Sequence, residues 1–262
     1  MMEAVLDLNL EGQSADQRSI GFMRDLEPSE GYWLAFSGGK DSVVLLDLAK
    51  RAGVAFEAHY SLTTIDPPEL VQFIRRQHPE VVVDRPRLSF WAHIRSHGLP
   101  MRNKRWCCAE LKEVGGVGRQ VLTGVRAAES ANRQRYDLVR VCRRPEAAGK
   151  TLISPVLHWS TGDVWAYIRR RGLAYCSLYD EGWKRLGCVL CPFEMHPEKA
   201  MARWPRMFEG LLRSVRAAYP RMKSWHRFGS PEAVLAWWLD RRAAWPDGDE
   251  QMTFDQFGED AP

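Results

Sequence analysis

The segment Gly31–Val54, GYWLAFSGGKDSVVLLDLAKRAGV, decides the fold because its pattern changes at a pair of glycines. Before the glycines, the run from Trp33 to Phe36 is short and apolar, which predicts a buried strand. After them, apolar residues are dense enough to predict a buried helix, and Gly53 ends it. The segment therefore predicts a strand, a tight loop and a helix in immediate succession.

The rest of the chain repeats this alternation of strands and helices. Further strands are predicted at 56–60, 81–83, 121–123 and 152–156, and helices at 67–78, 89–97 and 161–171. Alternating strands and helices predict an α/β fold with a doubly wound parallel sheet. The first thirty residues predict a helix or a loose lead-in, and the pattern after Pro192 is helical to about Trp245. We therefore predict a sheet domain over residues 1–193 and a helical extension packed on it over residues 194–262.

Composition places the chain among soluble globular proteins. Its 262 residues are 45% hydrophobic and 27% charged, and this length can bury a substantial core. The net charge of +4 permits anionic ligands without requiring a nucleic acid. Because no run approaches a membrane span and the first residues lack a secretory pattern, we expect a cytoplasmic protein with no membrane partner. In that compartment the six cysteines are expected to be thiols or metal ligands rather than disulfides.

The loop Ser37–Ser42 has the residues that a phosphate-binding loop needs. Bare glycines at positions 38 and 39 let backbone N–H groups approach an anion, and the dipole of the following helix attracts it. Lys40 adds a full positive charge, the two serines add hydroxyl donors, and Asp41 either holds Mg²⁺ or orients the loop. The spacing is neither that of the Walker loop nor that of the dinucleotide fingerprint. The alternative is a strand-to-helix turn whose glycines only satisfy geometry.

The sequence FSGGKDS resembles the PP-loop of the ATP pyrophosphatases. The stretches SPVLHWSTGDVWAYI, LYDEGW and GCVLCPF resemble, in the same order, the phosphoadenylyl-sulfate reductase family within that superfamily, so the similarity runs from about Trp33 to Phe193. The resemblance implies an adenine nucleotide alpha hydrolase-like fold in which Ser37, Gly38, Gly39, Lys40, Asp41 and Ser42 bind the nucleotide. Many members cleave ATP between its α- and β-phosphates, whereas some bind a nucleotide sulfate instead.

Two cysteine pairs stand inside family-like flanks: Cys107 with Cys108, and Cys188 with Cys191. In the iron–sulfur branch of the family such pairs hold one [4Fe–4S] cluster, so the resemblance implies these four ligands. Four thiolates also suit a tetrahedral Zn²⁺ ion, which is the less favoured metal centre. The other alternative is that the four cysteines are inert buried thiols. Basic residues that would offset the charge of thiolates flank the pairs: Arg102, Lys104, Arg105, Lys112, Lys184 and Arg185.

Polar residues follow two other predicted strands. Gly124 and Arg126 would lie at the ligand edge of the sheet, and Arg126 resembles the family arginine that meets the phosphate or sulfate end of the nucleotide. Arg133 is predicted to assist it; the alternative for both arginines is a solvated surface position. Tyr60 and Ser61 follow the second strand, where this fold presents backbone groups to adenine, although Tyr60 equally suits the core.

Two further signals carry alternatives. The stretch TTIDPPE, Thr63 to Glu69, is expected to begin a helix and line the substrate entrance; the alternative for Asp66 is an N-cap. The basic run from Arg213 to Arg227 suits a nucleic acid, but a solvated helix face is the preferred interpretation.

The chemistry follows from where this chain departs from the sulfonucleotide reductases. Those enzymes use a nucleophilic cysteine near the C-terminus, whereas here no cysteine follows Cys191, so only Cys142 or Cys176 could substitute. We therefore expect an enzyme that cleaves Mg²⁺–ATP to AMP and pyrophosphate and activates an acceptor for sulfur insertion, as in nucleic-acid thiolation or phosphorothioation. Lys40, Asp41 and Arg126 are its predicted catalytic residues, and a cysteine desulfurase is a possible sulfur donor. The alternatives are a reductase of adenylyl sulfate or phosphoadenylyl sulfate that releases sulfite, and a non-catalytic subunit that binds nucleotide and cluster.

Overall fold

The computed structural model describes residues 14–101, 105–142, 149–194 and 196–240. The chain forms two compact units that interleave along the sequence. Unit 1 contains residues 1–60, 75–82 and 116–176, and unit 2 contains residues 61–74, 83–115 and 177–262. Unit 2 joins the C-terminal helices to segments that follow the second and third strands, and the predicted domain boundary at residue 193 stays a prediction.

The strands form a mostly parallel six-stranded sheet, which confirms the predicted fold class. The strands are β1 (Tyr32–Ala35), β2 (Phe56–Ser61), β3 (Val82–Asp84), β4 (Gln120–Leu122), β5 (Val139–Val141) and β6 (Thr151–Ile153), in the spatial order β3-β2-β1-β4-β6-β5. β1 pairs in parallel with β2 and β4, and β4 pairs in parallel with β6.

Strand β5 was not predicted, and it runs antiparallel to β6 at the edge of the sheet. Its direction follows from chain length, because only residues 142–150 connect the two strands. A parallel pair needs a crossover of a dozen residues or more, whereas an antiparallel pair accepts a short connection.

The α-helices of the described residues are α1 (Ala15–Asp25), α2 (Lys40–Ala52), α3 (Pro68–Gln77), α4 (Phe90–His97), α5 (Trp106–Leu111), α6 (Thr161–Arg171), α7 (Pro197–Arg203), α8 (Pro205–Ala218) and α9 (Pro231–Leu239). Helix α1 lies in the predicted lead-in, and residues 1–13 are outside the described residues. The helical pattern after Pro192 corresponds to α7–α9, while residues 241–262 are also outside the described part. Within the described ranges, none of the helices combines the length and the apolar character that crossing a membrane requires.

Helix α2 is the central helix of unit 1. Its residues Val43–Leu46 and Leu48 are at most 2% exposed, so the apolar run that predicted a buried helix lies in the core. The helix ends at Gly53, whose φ of +71° is the left-handed conformation that favours glycine. Helix α6 begins as predicted, because the Ser160 hydroxyl accepts the N–H of Asp163 at 3.1 Å. Because β1 ends at Ala35 and α2 begins at Lys40, the glycine loop leads from the strand directly into the N-terminus of the helix.

Unit 2 has its own packing of helices. Helix α8 lies against α4, where a side chain on Gly210 would meet the ring of Trp91 at 3.4 Å. The indole N–H of Trp238 in α9 donates to the carbonyl oxygen of Pro100 at 2.8 Å. The tryptophans of this region therefore join the C-terminal helices to the segment that follows β3.

Candidate functional site

The glycine loop between β1 and α2 is held by its own hydroxyl groups. The Ser42 hydroxyl donates to the carbonyl oxygen of Gly39 at 2.9 Å and accepts the N–H of Ser37 at 3.2 Å. Gly38 has a φ of +72°, a conformation that a side chain would strain. Gly39 is the N-cap of α2, and no side chain caps the helix there. The first N–H groups of α2 therefore have no capping side chain, an arrangement that suits an anionic ligand.

Asp41 brings together two of the predicted catalytic cations. Its carboxylate accepts from Nζ of Lys40 at 2.9 Å and from Nε of Arg126 at 2.6 Å. Both cations are buried, with Lys40 5% exposed and Arg126 2% exposed. The guanidinium of Arg126 also donates to the carbonyl oxygen of Trp159 at 3.0 Å. These contacts suit the orienting role predicted for Asp41, and its alternative role of holding Mg²⁺ stays a prediction.

Gly124 lies where the chain leaves β4 and passes the start of α2. A Cβ atom at this position would stand 3.0 Å from the carbonyl carbon of Asp41. That contact is tighter than a Cβ atom ordinarily makes, so glycine lets the two backbones pass this closely without a shift. The predicted place of Gly124 beside the loop has a structural reason in this contact.

A carboxylate that sequence reasoning missed, Glu129, connects the two predicted arginines. It accepts the backbone N–H of Arg126 at 3.1 Å and forms an ion pair with the side chain of Arg133. Its position three residues after Arg126 and four before Arg133 was the available signal, because both separations are short enough for local contacts.

Tyr60 and Ser61 end strand β2. The Tyr60 side chain is 4% exposed, in agreement with the core position that was its alternative. The Ser61 hydroxyl donates to the carbonyl oxygen of Lys112 at 3.4 Å, within unit 2. That their backbone groups meet adenine stays a prediction.

All four cysteines of the predicted metal site lie in unit 2. Cys107 and Cys108 are on the short helix α5, whereas Cys188 and Cys191 are in a segment without regular structure. A hydrogen bond between the adjacent thiols lowers the pKa of Cys108 to about 6 and raises the pKa of Cys107. The pKa of Cys107 is raised further by burial and by the charges of Cys188 and Cys191, so the four thiols interact electrostatically.

Residues around the thiols supply one hydrogen bond and one positive charge. The thiol of Cys188 donates to the Thr63 hydroxyl at 3.4 Å, although burial keeps the pKa of this thiol above its usual value. The charges of Cys188 and then of Cys108 and Cys191 raise the pKa of Lys112. Lys112 is therefore stabilised as a cation beside the thiols.

The turn before α3 contacts the same region. Asp66 accepts the N–H of Thr63 at 2.7 Å, so its carboxylate closes a turn. Thr64 has a φ of +66°, which is strained for a threonine, and its hydroxyl accepts the N–H of Phe90 at 2.9 Å. Thr63 and Thr64 lie in the stretch predicted to line the substrate entrance, but their contacts with Cys188 and Phe90 are with distant residues and had no signal in the sequence.

The basic residues predicted beside the thiols have different surroundings. The Arg105 guanidinium lies over the ring of Phe193, 5.2 Å from its centroid, and Lys184 and Arg185 are exposed. Arg102 and Lys104 lie outside the described residues.

Cysteine thiolates are the donor type that holds an iron–sulfur cluster or a tetrahedral zinc ion. Within the described ranges, no three His, Cys, Asp or Glu side chains are arranged to hold a metal ion. Cys142 and Cys176 belong to unit 1, where Cys176 is 1% exposed and Cys142 is half-buried.

The sequence profile of the Phosphoadenosine phosphosulfate reductase domain matches residues 31–194, more than half of the chain. The chain belongs to this family. The match includes the glycine loop and both cysteine pairs, and it confirms the resemblance that the motifs indicated.

Relatives of this reductase-family chain include an uncharacterised protein of Methanocaldococcus jannaschii. It is 28% identical over 212 residues, which are 74% of this chain and 44% of that protein, so the chain spans less than half of that relative's length. The adenosine 5'-phosphosulfate reductase of Geobacillus kaustophilus is 30% identical over 168 residues, covering 60% of this chain and 71% of the relative.

A solved structure confirms the fold of the family. It is the phosphoadenylyl-sulfate reductase of Candida auris in complex with phosphate, with a TM-score of 0.51. The match covers 68% of this chain and 89% of that chain at 21% sequence identity.

Proposed function

We propose that the chain is a PP-loop enzyme that cleaves Mg²⁺–ATP to AMP and pyrophosphate and thereby activates an acceptor for sulfur insertion. The construction of the glycine loop carries this proposal. Gly38 and Gly39 leave the N-terminus of α2 without a side-chain cap, and Lys40 stands in its first turn. Backbone N–H groups, a helix dipole and a lysine together suit the charge of a pyrophosphate group.

In the proposed reaction, an oxygen of the acceptor attacks the α-phosphorus of ATP. A new P–O bond forms, and the bond from the α-phosphorus to the bridging oxygen breaks, so its electron pair leaves with pyrophosphate. Lys40 and the N–H groups of α2 stabilise the charge that develops on the pyrophosphate. Arg126 adds a second fixed positive charge, and Asp41 orients both cations through its 2.9 Å and 2.6 Å contacts. Mg²⁺ enters as part of the nucleotide substrate.

Sulfur then replaces oxygen on the activated acceptor. A persulfide donor, for which a cysteine desulfurase is a suitable partner, displaces AMP, and a thiol reductant cleaves the resulting S–S bond. The proposed acceptor is a nucleic acid, and the proposed compartment is the cytoplasm, where thiols stay reduced.

Cys107, Cys108, Cys188 and Cys191 are the proposed ligands of a [4Fe–4S] cluster, with zinc as the less favoured alternative. When bound, such a cluster supplies electron-transfer or sulfur-carrying chemistry. The support for these ligands is that the four cysteines lie in one unit and within the segment that the family profile matches. Their side chains, as described, are not arranged to hold a metal ion, so the cluster stays a proposal.

A reductase of adenylyl sulfate is the second candidate, because relatives with 25–30% identity carry the name adenosine 5'-phosphosulfate reductase. In that reaction a cysteine thiolate attacks the sulfur of the nucleotide sulfate, AMP leaves, and a second thiol releases sulfite as a disulfide forms. Cys142 and Cys176 are the thiols to test, since the other four are assigned to the cluster.

Product analysis separates the candidates. The protein, purified without oxygen, is incubated in turn with Mg²⁺–ATP, adenylyl sulfate and phosphoadenylyl sulfate, with thiol reductant and nucleic acid present. Pyrophosphate and AMP from ATP support the first proposal, and the serine variants of Cys142 and Cys176 should retain that activity. Sulfite that disappears in one of these variants contradicts it and supports the reductase. Binding of nucleotides without turnover supports a non-catalytic subunit of a sulfur-transfer complex.

A further inference from the structure

Glu129 lies between the two arginines of the segment that follows β4. It ends a short 3₁₀ turn, Ala127–Glu129, and its Oε2 atom accepts the backbone N–H of Arg126 at 3.1 Å. The same oxygen forms an ion pair with Nη1 of Arg133, four residues further along the chain. One carboxylate oxygen therefore joins the backbone of one arginine to the side chain of the other.

Arg126 is an immobile anchor for this contact. Its guanidinium is buried and is held by Asp41 at 2.6 Å and by the carbonyl oxygen of Trp159 at 3.0 Å. Asp41 is also paired with Lys40. Positive and negative groups thus alternate from the first turn of α2 through Arg126 and Glu129. Because Arg126 is fixed at its guanidinium, Glu129 is fixed relative to the glycine loop.

Arg133 differs from Arg126 in how much of it is available to a ligand. Its side chain is 30% exposed, and in the described part of the chain its guanidinium has one ion-pair partner, Glu129. A guanidinium carries five N–H donors in a rigid planar fork. With one acidic partner among the described residues, the partly exposed fork of Arg133 has donors for an anion, while the contact with Glu129 sets its direction.

We propose that Glu129 is a positioning residue that presents Arg133 to a negatively charged group of the bound adenine nucleotide. This inference rests on the nucleotide-binding function proposed above. Charge alone argues the opposite effect, because a carboxylate lowers the positive potential that attracts an anion. Orientation outweighs that loss, since a guanidinium already held in one direction loses less freedom when it binds.

The test replaces Glu129 by Gln in the full chain and measures the Kd of Mg²⁺–ATP and of adenylyl sulfate by titration calorimetry. Glutamine keeps an oxygen acceptor for the Arg126 N–H but removes the charge that orients Arg133. We expect the Kd of the nucleotide that the protein binds to rise about tenfold and kcat to change less than about twofold. Asp137→Asn makes the same charge change at an exposed position of the same segment and should leave the Kd unchanged.

A double variant identifies the partner of Glu129. Arg133→Gln should weaken binding by a similar factor, and Glu129→Gln combined with Arg133→Gln should bind no more weakly than Arg133→Gln alone. If Glu129→Gln does not fold, Arg133→Lys, which keeps the charge without the fork, should show the same tenfold rise in Kd, and an unchanged Kd overturns the proposal.

Other outcomes overturn the inference in distinguishable ways. Tighter nucleotide binding by Glu129→Gln would mean that its charge matters and its orienting contact does not. A lower Tm with an unchanged Kd, or fully additive effects in the double variant, would leave Glu129 with a structural role only. If the unaltered protein binds neither nucleotide, the proposed function itself fails and this inference fails with it.

Discussion

In the glycine loop, the Ser42 hydroxyl donates a hydrogen bond to the carbonyl oxygen of Gly39, three residues away. In the cysteine region, the Cys188 thiol donates a hydrogen bond to the hydroxyl of Thr63, 125 residues away. The loop belongs to unit 1 and the cysteines belong to unit 2. The glycine loop is therefore closed by contacts within one short segment, whereas the cysteine region depends on how distant segments pack. A variant in the glycine loop should therefore leave the cysteine region intact, and a variant in the cysteine region should leave the glycine loop intact.

The largest expected effect is on turnover when Lys40 is replaced by Ala. Loss of the charge in the first turn of α2 should lower nucleotide turnover about 100- to 1,000-fold, because the developing charge on the leaving group loses its cation. Iron content should not change. Lys50→Ala, on an exposed part of the same helix, is the matched control. Equal turnover of the Lys40 and Lys50 variants would remove Lys40 from the site.

The converse variant is Cys188→Ser. Anaerobically purified protein should be brown, and this variant should lose most of its visible absorbance, iron and acid-labile sulfide, because one of four proposed ligands is gone. Its Kd for nucleotide should stay within about twofold. Cys142→Ser, in unit 1, should keep its iron and colour. Colourless, iron-free starting protein after careful reconstitution would count against the cluster and favour zinc or bare thiols.

A third variant tests whether the loop needs the close passage of β4. Gly124→Ala places a Cβ atom 3.0 Å from the carbonyl carbon of Asp41, so we expect a loss of about 1–3 kcal/mol in the free energy of unfolding. Gly162 in helix α6 is the control, because a Cβ atom there would stand 3.5 Å from the nearest atom, the Ser160 hydroxyl oxygen. Gly162→Ala should be neutral or slightly stabilising. Urea unfolding of both variants measures the difference, and equal stability would show that the two backbones separate without cost.

The smallest expected effect concerns Asp16, which supports unit 1 far from the thiols in sequence. Burial by itself would raise the pKa of Asp16, but the Ser14 hydroxyl and the guanidinium of Arg51, 2.7 Å away, lower it from 3.8 to about 2. A lowered pKa contributes stability that is complete above the unfolded pKa near 3.8 and is lost as pH falls through about 2. Asp16→Asn should therefore lower the free energy of unfolding by about 1–2 kcal/mol at neutral pH.

The pH dependence of the free energy of unfolding, compared between Asp16→Asn and the unaltered chain, distinguishes the charge contribution of Asp16 from a packing defect. The stability difference between Asp16→Asn and the unaltered chain should disappear as pH falls from about 4 to about 2, as measured by urea midpoints. A difference that persists at low pH would show that the asparagine disturbs packing instead.

Several elements of the fold were predictable because their signals are local. The apolar run that became α2 stops at Gly53, and its burial pattern and left-handed cap agree with the prediction. Strand β5 and helix α5 were not predicted. β5 has three residues, VRV, and α5 has six, and elements this short show no periodicity that identifies them. Their conformations depend on the neighbours against which they pack.

In the candidate site, too, some residues were predictable from the sequence and others were not. The sequence singled out the glycine loop, both cysteine pairs and Arg126 as candidates. The partners of these residues were not. Glu129 resembles any surface acid until its contacts with two arginines are seen, and Thr63 resembles any loop threonine until Cys188 is placed beside it.

The sequence by itself determined the strand–loop–helix unit, the alternation that predicts a mostly parallel sheet, the chemical types of the site residues and the family. These properties follow from backbone conformation, hydrophobic period and motif order, each of which is written in neighbouring residues. Only the tertiary structure decided that Asp41 pairs with Arg126, 85 residues away, and that the segments after β2 and β3 join the C-terminal helices in unit 2. The physical reason is that ion pairs and packed faces depend on which elements meet in space, and a linear pattern does not specify that.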